Sequence, residues 1–315
     1  MSVISYFGGK SSNVFIEFIN SKIPKDGSIK TYLEPFSGSM GTYMDDDNLK
    51  FDKVIYNDKN RHQVNLYKCC SEPEKFLLYL EKFKMSVLKT DETDPMKKWD
   101  FYKEIYSKYT KNDFLDNMDF EIGDFKKACM YAFLITSSFS SVYPRGGGFA
   151  GYKKDKDRLK LEVLISKLKK NTYTQKLQSI TEFNNIDFEE LITKYDSEDT
   201  YLYLDPPYAR FDEAKGEDDT KRLSWYGCDE EGVFGPASHR RLLELIKTTK
   251  CRWSLSYYYF PLLEELLPRD KYLWFEKEVF RSSAHGGNNS AGKGEQAKGV
   301  ELLILNYNPE TGERI

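Results

Sequence analysis

A buried strand that ends in two consecutive prolines constrains this sequence more than any other feature. The apolar run Tyr201-Leu202-Tyr203-Leu204 is typical of a strand covered on both faces. Pro206 and Pro207 follow within two residues, and since neither has an N–H for a sheet ladder, the strand must end there. The segment Asp205-Pro206-Pro207-Tyr208 is therefore predicted to be a stiff, polar strand end.

This strand end has the chemistry to hold an amino group that carries two hydrogens. The Asp205 carboxylate and the Pro206 carbonyl are both hydrogen-bond acceptors, and Tyr208 adds a flat face for stacking. Two such acceptors would draw the delocalised lone pair of an exocyclic amine toward an attacking geometry. The tetrapeptide alone is also compatible with an ordinary proline turn, so other segments must decide.

Two earlier predicted strands end in residues that suit a ligand. Residues 31–41 form a short strand that runs into a Gly-Ser turn before a helix, where Gly38 lets a ligand approach the backbone and Glu34 suits an ammonium group. Residues 53–58 form a second strand, and the carboxylate of Asp58 suits ribose hydroxyls or, alternatively, the N-cap of the next helix. The turn after the first strand carries no phosphate-binding glycine pattern, which favours a ligand without phosphates.

Together with Tyr6-Phe7-Gly8-Gly9-Lys10, these segments resemble the Dam-type DNA adenine N6-methyltransferases. The similar elements are the aromatic-Gly-Gly-Lys start, the Glu-Pro-Phe-Ser-Gly turn, the Asn57-Asp58 pair and the Asp-Pro-Pro-Tyr strand end, in the family's order. The resemblance implies an α/β fold, a Rossmann-like methyltransferase sheet with an inserted helical target-recognition subdomain. It also implies S-adenosylmethionine as the cofactor and direct methyl transfer to a flipped adenine in double-stranded DNA.

The resemblance also implies roles for individual residues. Those implied to hold S-adenosylmethionine are Tyr6, Phe7, Gly8, Lys10, Glu34, Pro35, Phe36, Ser37, Gly38, Asp58, Asp187, Phe188 and Asp205. Asp187 matches the family's acidic position near the adenine of the cofactor. The residues implied to form the catalytic site are Asp205, Pro206, Pro207 and Tyr208.

The strand-and-turn pattern stops at about residue 70. From Pro73 to Ala132, apolar residues recur every three or four positions, which predicts amphipathic helices. We therefore expect a catalytic domain of residues 1–70 and 171–315, and an inserted helical subdomain with a hairpin, residues 71–170, for DNA recognition. Beyond the insertion the pattern predicts a helix at residues 238–246 and strands at residues 252–256 and 300–305.

Contacts with DNA must be local, because 47 Lys and Arg residues face 50 Asp and Glu residues and give no overall basic character. A glycine-rich segment at residues 136–149 could fill the gap left by a flipped base and contact phosphates, although a connector with core aromatics is an alternative. This segment is Ser-rich and shorter than its counterpart in the Dam enzymes, so the resemblance does not extend to the recognition sequence. The predicted DNA-binding residues are Phe139, Tyr143, Arg145, Lys153 and Lys154.

Other patterns narrow the remaining classes. The five cysteines have no metal-ligand or disulfide spacing, so we expect reduced thiols and no metal. No apolar stretch approaches 18 residues, which favours a soluble, cytoplasmic enzyme with access to DNA and no membrane partner. A cognate restriction endonuclease is a candidate partner. Two alternatives remain open at this point: adenine methylation of RNA, and a catalytically silent nucleic-acid-binding relative.

Overall fold

The computed structural model of the protein describes residues 13–111, 114–115, 117–138, 148–150, 152–153, 158–208, 211–212, 217–218, 234–280 and 298–315. The chain divides into two compact units. The first unit contains residues 1–9, 37–187 and 224–233, and the second contains residues 10–36, 188–223 and 234–315.

Helices and strands alternate through much of the described chain. The helices are α1 (Asn13–Lys22), α2 (Gly41–Met44), α3 (Arg61–Cys70), α4 (Pro73–Val87), α5 (Pro95–Thr110), α6 (Phe125–Ser137), α7 (Leu161–Leu168), α8 (Asn171–Gln178), α9 (Phe188–Lys194), α10 (Pro236–Thr248) and α11 (Pro261–Leu266). The strands are β1 (Thr31–Glu34), β2 (Lys53–Asn57), β3 (Tyr152–Lys153), β4 (Arg158–Leu159), β5 (Glu182–Asn184), β6 (Thr200–Leu204), β7 (Phe211–Asp212), β8 (Glu217–Asp218), β9 (Arg252–Tyr257), β10 (Leu273–Phe280) and β11 (Lys298–Leu305). The helices predicted between Pro73 and Ala132 are confirmed as α4, α5 and the first part of α6.

The first unit is mainly helical around one parallel strand pair. Strand β2 pairs with β5, with Asn57 opposite Asn184 at their carboxyl ends. Helix α4 starts with a proline, which suits a position that needs no N–H, and buries Phe76, Leu80 and Phe83 at spacings of four and three. Helix α6 is apolar on most sides and packs against α3 and α4, which makes it the centre of this unit's core.

The second unit contains five strands in the order β10-β11-β9-β6-β1. Strands β1, β6 and β9 are parallel, whereas β11 is antiparallel to both β9 and β10. With β2 and β5 these are the seven strands of the mixed main sheet, which confirms the predicted Rossmann-like class. Every residue of β6 is buried, as expected for an inner strand of a parallel sheet.

The parallel strands of the second unit bring their carboxyl ends to one edge of the sheet. Glu34 is the last residue of β1, Asp205 follows β6, and Tyr257 is the last residue of β9. Ligands of open α/β sheets bind at this edge, so the fold places these residues where a site is expected. Within the described ranges, the helices include none with the length and hydrophobicity of a membrane span.

Candidate active site

The Asp205-Pro206-Pro207-Tyr208 segment leaves strand β6 where the sequence predicts. The strand ends at Leu204, and the next four residues have no regular secondary structure. Pro206 is buried, while Asp205, Pro207 and Tyr208 are partly exposed. The buried proline supports the segment from beneath, and its neighbours keep access to a ligand.

Tyr208 is held at its hydroxyl and around its ring. The hydroxyl donates a hydrogen bond to Glu301 Oε1 at 2.5 Å, and Glu301 is only 5% exposed. The ring lies 4.8 Å from the Tyr258 ring in an edge-on arrangement and 5.1 Å from the tilted ring of Tyr257. Burial, followed by the nearby carboxylates of Asp205 and Glu301, raises the pKa of Tyr208 well above its usual value, so the phenol stays protonated. The ring orientation of Tyr208 is thus set before any ligand binds.

The main chain of the same segment is held from strand β9. The Tyr257 hydroxyl donates a hydrogen bond to the Pro207 carbonyl at 3.2 Å and also bonds to Nδ1 of His239. Tyr257 and His239 are both almost completely buried. The peptide group that leads into Tyr208 is therefore anchored by a side chain 50 residues away in the sequence.

Three carboxylates lie around Tyr203 in strand β6. Burial and the Asp205 carboxylate raise the pKa of Tyr203 well above its usual value, and the Glu301 and Glu34 carboxylates act in the same direction. Glu34 is 2% exposed and accepts a hydrogen bond from the Tyr32 hydroxyl at 2.5 Å. A group of carboxylates at a sheet edge favours ligands with positive charge or amino groups.

Aromatic rings of the second unit cluster where β1 ends and where α9 and α10 begin. Phe36, Phe188 and Phe234 contact one another with ring centroids 5.3 to 5.7 Å apart. The guanidinium of Arg241 lies 4.7 Å from the centroid of Phe188. The structure thus brings together Phe36 and Phe188, two residues predicted to contact the cofactor.

In the first unit, Gly38 is fixed on both sides of its peptide links. Its backbone φ is 47°, a left-handed conformation that glycine adopts without strain. Its N–H donates to Asp58 Oδ2 at 2.8 Å, and its carbonyl accepts from the Tyr56 hydroxyl at 2.7 Å and from Gln63 Nε2 at 2.9 Å. Met40 is also left-handed, at φ 49°, which costs about 1 kcal/mol or more for a residue with a side chain. Strain of this kind often marks a functional turn.

The alternative role of Asp58 as a helix N-cap is wrong. Asn60 caps α3, because its side chain accepts from the amides of His62 and Gln63. Asp58 instead accepts from the Asn60 amide at 2.7 Å and from Gly38, which leaves about two lone-pair positions on its carboxylate. Burial raises the pKa of Asp58 to about 6, although the two amide donors act against that rise.

The carboxyl ends of β2 and β5 are joined by carboxamide side chains. The Asn57 side chain both donates to and accepts from the backbone of Ile186, at 3.2 and 3.1 Å. Asn185 Nδ2 donates to the carbonyls of Asp58 and Lys59. Asp187 follows directly, so the structure brings Gly38, Asp58 and Asp187 into one connected group of turns.

Several predicted site residues lie outside the described residues: Tyr6, Phe7, Gly8, Lys10, Phe139, Tyr143, Arg145, Lys154 and the side chain of Lys153. The two ends of the glycine-rich segment are described. Ser138 pairs with Phe149 in an antiparallel bridge, and the Phe149 ring contacts Trp99 and Tyr106 of α5. The segment therefore starts and ends side by side, on a helix of the first unit.

Sequence reasoning did not find the residues that support Tyr208 and Pro207. Glu301 is a lone acidic residue in an otherwise apolar strand, at a position that faces inward. His239 lies on the same face of α10 as the buried residues Leu242, Leu243 and Ile246. Both departures from an apolar pattern are visible in the sequence, but the pattern does not say which side chain each contacts.

The fold and the site define a class: an α/β enzyme with an acidic, aromatic site at the carboxyl ends of its parallel strands. The sequence pattern of the D12 class N6 adenine-specific DNA methyltransferases matches residues 6–252. The chain belongs to this family and is an S-adenosylmethionine-dependent DNA adenine N6-methyltransferase. This assignment favours DNA over the RNA substrate that the sequence motifs left open. No curated protein matches the chain closely enough to narrow the assignment further.

Proposed function

We propose that the enzyme methylates an adenine that is flipped out of double-stranded DNA, with Asp205, Pro206, Pro207 and Tyr208 as the catalytic segment. The observation that carries this proposal is the position of Asp205, directly after β6 at the carboxyl edge of the parallel strands. Both β6 neighbours, β1 and β9, end at the same edge, which is where α/β sheets bind their ligands.

The residues of the segment have separate roles in this mechanism. The Asp205 carboxylate and the Pro206 carbonyl accept hydrogen bonds from the adenine amino group and make its lone pair available for attack. Tyr208 stacks on the base, and its ring is already oriented by Glu301, Tyr257 and Tyr258. After transfer the amino nitrogen must lose one proton, and the Asp205 carboxylate is the acceptor next to it.

The described residues fit S-adenosylmethionine. The cofactor, when bound, supplies an electrophilic methyl group on a sulfonium. Glu34 offers a buried carboxylate for the methionyl ammonium, and Asp58 keeps lone pairs for ribose hydroxyls. Asn184, at the end of β5, has a buried side-chain Nδ2 for which the described part of the chain provides no acceptor. A buried donor without a partner is costly, and an acceptor on a ligand would satisfy it.

The predicted domains give the rest of the chain a role. We propose that residues 1–70 and 171–315 form the catalytic domain and that residues 71–170 recognise DNA. The side-by-side ends of the glycine-rich segment on α5 support a hairpin at this position. Because the substrate is DNA, we expect the enzyme to act in the cytoplasm. Where it belongs to a restriction-modification system, a restriction endonuclease of the same specificity accompanies it.

The test is single-turnover transfer of tritiated methyl groups to duplex DNA at saturating cofactor and DNA. Asp205→Ala should reduce the rate by roughly a hundredfold or more, because it removes an acceptor aimed at the transition state. Asp199→Ala is the matched control, since Asp199 is an exposed carboxylate that precedes the same strand. A near wild-type rate in a folded Asp205→Ala protein would contradict the proposed site. Single-molecule sequencing of DNA from expressing cells would then identify the methylated adenine and its flanking bases.

A further inference from the structure

A buried histidine lies behind the catalytic segment. His239 is 2% exposed and lies near the start of α10. Its ring contacts the rings of Phe234, Tyr257 and Phe260, with centroids 4.7, 5.7 and 5.6 Å away. Its Nδ1 bonds to the Tyr257 hydroxyl, which is the group that holds the Pro207 carbonyl.

The hydrogen bonds assign the proton of this histidine. A phenol has one hydrogen, and the Tyr257 hydroxyl donates it to Pro207. The bond between Tyr257 and His239 must then use an N–H on Nδ1. Burial lowers the pKa of His239 to about 4, so the ring is neutral near pH 7 and Nε2 carries no hydrogen. Nε2 is buried and has no hydrogen-bond partner among the described residues, so Nδ1 makes the ring's polar contact there.

The start of α10 holds the histidine in place. Gly235 is the N-cap, so Phe234 precedes the cap and His239 is the fourth helical residue. Contact between these two positions is the hydrophobic staple that fixes how a chain enters a helix. Phe234 also contacts Phe36 and Phe188, so the histidine is positioned by the aromatic cluster at the end of β1.

We propose that His239 and Tyr257 are positioning residues for methyl transfer: His239 orients the Tyr257 hydroxyl, which fixes the Pro207 carbonyl and thereby the peptide plane between Pro206 and Tyr208. The inference rests on the proposed function, because it assumes that this segment holds the target adenine. Without either residue, the Pro206 acceptor and the Tyr208 ring are free to move. Small displacements of reacting groups can reduce rates by about a hundredfold.

Tyrosine variants provide a matched test, because strands β6 and β9 contain two buried tyrosine hydroxyls with different partners. Tyr257 bonds to the catalytic segment, whereas the Tyr201 hydroxyl bonds to Ser254, which lies within the strand pair. Tyr257→Phe should lower the single-turnover methylation rate about ten- to a hundredfold, with little change in cofactor affinity. Tyr201→Phe should lose a similar amount of thermal stability and keep its rate.

Histidine variants test the direction of the relay. Asparagine carries its N–H at the position of Nδ1, so His239→Asn should retain most of the rate, whereas His239→Leu should fall as far as Tyr257→Phe. The double variant His239→Leu with Tyr257→Phe should be no slower than Tyr257→Phe alone, since both changes break one chain. Equal, wild-type rates for Tyr257→Phe and Tyr201→Phe would overturn the inference if Asp205→Ala is inactive. If Asp205→Ala is active, the proposed site itself fails. Should His239→Leu not fold, the two tyrosine variants still decide.

Discussion

The strand ends of the two units are held in different ways. In the second unit, side chains from distant parts of the chain hold Tyr208 and Pro207, with 93 residues between Tyr208 and Glu301 and 50 between Tyr257 and Pro207. In the first unit, side chains of the turns themselves bond to backbone groups, as in the bonds from Asn57 to Ile186 and between Asp58 and Gly38.

This difference indicates what each unit presents to a ligand. Bonds from carboxamides and carboxylates to the backbone fix the course of the main chain, and a fixed glycine turn presents peptide groups to a ligand. Bonds between side chains fix the direction of rings and carboxylates. The first unit is therefore built to bind through its backbone and Asp58, and the second is built to aim reactive side chains.

The comparison predicts the largest effect at the bond between Tyr208 and Glu301. Glu301→Gln and Tyr208→Phe should each lower the single-turnover methylation rate about ten- to a hundredfold, because a buried hydrogen bond to a charged group contributes about 1.5–3 kcal/mol. From the sequence alone, Tyr208→Phe is expected to keep much of the activity. The bond to Glu301 changes that expectation, since the phenylalanine leaves a buried carboxylate without its donor.

A double-mutant cycle separates this bond from general damage to the sheet. The double variant should lose less than the sum of the two single losses. Glu276→Gln is the control, because Glu276 is exposed on the neighbouring strand β10. Additive losses, or a similar loss in the control, would show that the bond does not orient Tyr208.

A second prediction extends the comparison to DNA. Arg145, Lys153 and Lys154 all belong to the first unit, so removing them should weaken DNA binding and leave the rate at saturating DNA unchanged. The triple alanine variant should reduce the salt dependence of the binding constant by about one logarithmic unit for each phosphate that the variant no longer neutralises. Fluorescence titration at several salt concentrations measures the slope. A variant with Lys247, Lys250 and Lys271 changed to alanine removes the same charge elsewhere, and equal slopes in both variants would contradict a local contact.

The third prediction concerns Asp58 and its neighbour Asn60. Asp58→Ala should weaken S-adenosylmethionine binding by about 1–2 kcal/mol, because ribose hydroxyls lose an acceptor. Asn60→Ala should instead lower the free energy of unfolding by about 1 kcal/mol through loss of the α3 N-cap, with a smaller effect on cofactor affinity. Calorimetry measures the affinities and chemical denaturation the stabilities. Unchanged affinity in a folded Asp58→Ala protein would place the cofactor's ribose elsewhere.

The sequence predicted most of the main-chain framework. Strands β1, β2, β6, β9 and β11 follow from apolar runs with polar ends, and two prolines fix where β6 stops. Helices α4 and α5 follow from their three-to-four spacing, and both start with a proline. Local patterns of this kind determine the element and its end, so they can be predicted from single segments.

Contacts between distant segments could not be predicted in the same way. The inward position of Glu301 follows from alternation along β11, but its partner depends on the order β11-β9-β6, which crosses the sequence. The sequence also allows Asp58 as the cap of α3, because both Asp and Asn are good N-caps, and only the backbone course selects Asn60. Which member of a motif acts is decided by packing that the motif does not contain.

The smallest expected effect is a pH dependence that two observables should show in opposite directions. In the free protein burial raises the pKa of Asp58 to about 6, so the folded chain binds this proton more tightly than the unfolded chain does. The resulting contribution to stability is complete below about pH 4 and is lost as the pH rises through 6. Hydroxyl donors from a bound ribose favour the ionised carboxylate, so cofactor affinity should rise over pH 5 to 7 by less than about tenfold per unit and then level off. Asp58→Asn cannot titrate and should flatten both curves, as measured by calorimetry and by denaturation at each pH. If affinity and stability change in parallel, or if the asparagine variant keeps the wild-type pH dependence, another group titrates and Asp58 is not the carboxylate that contacts the cofactor.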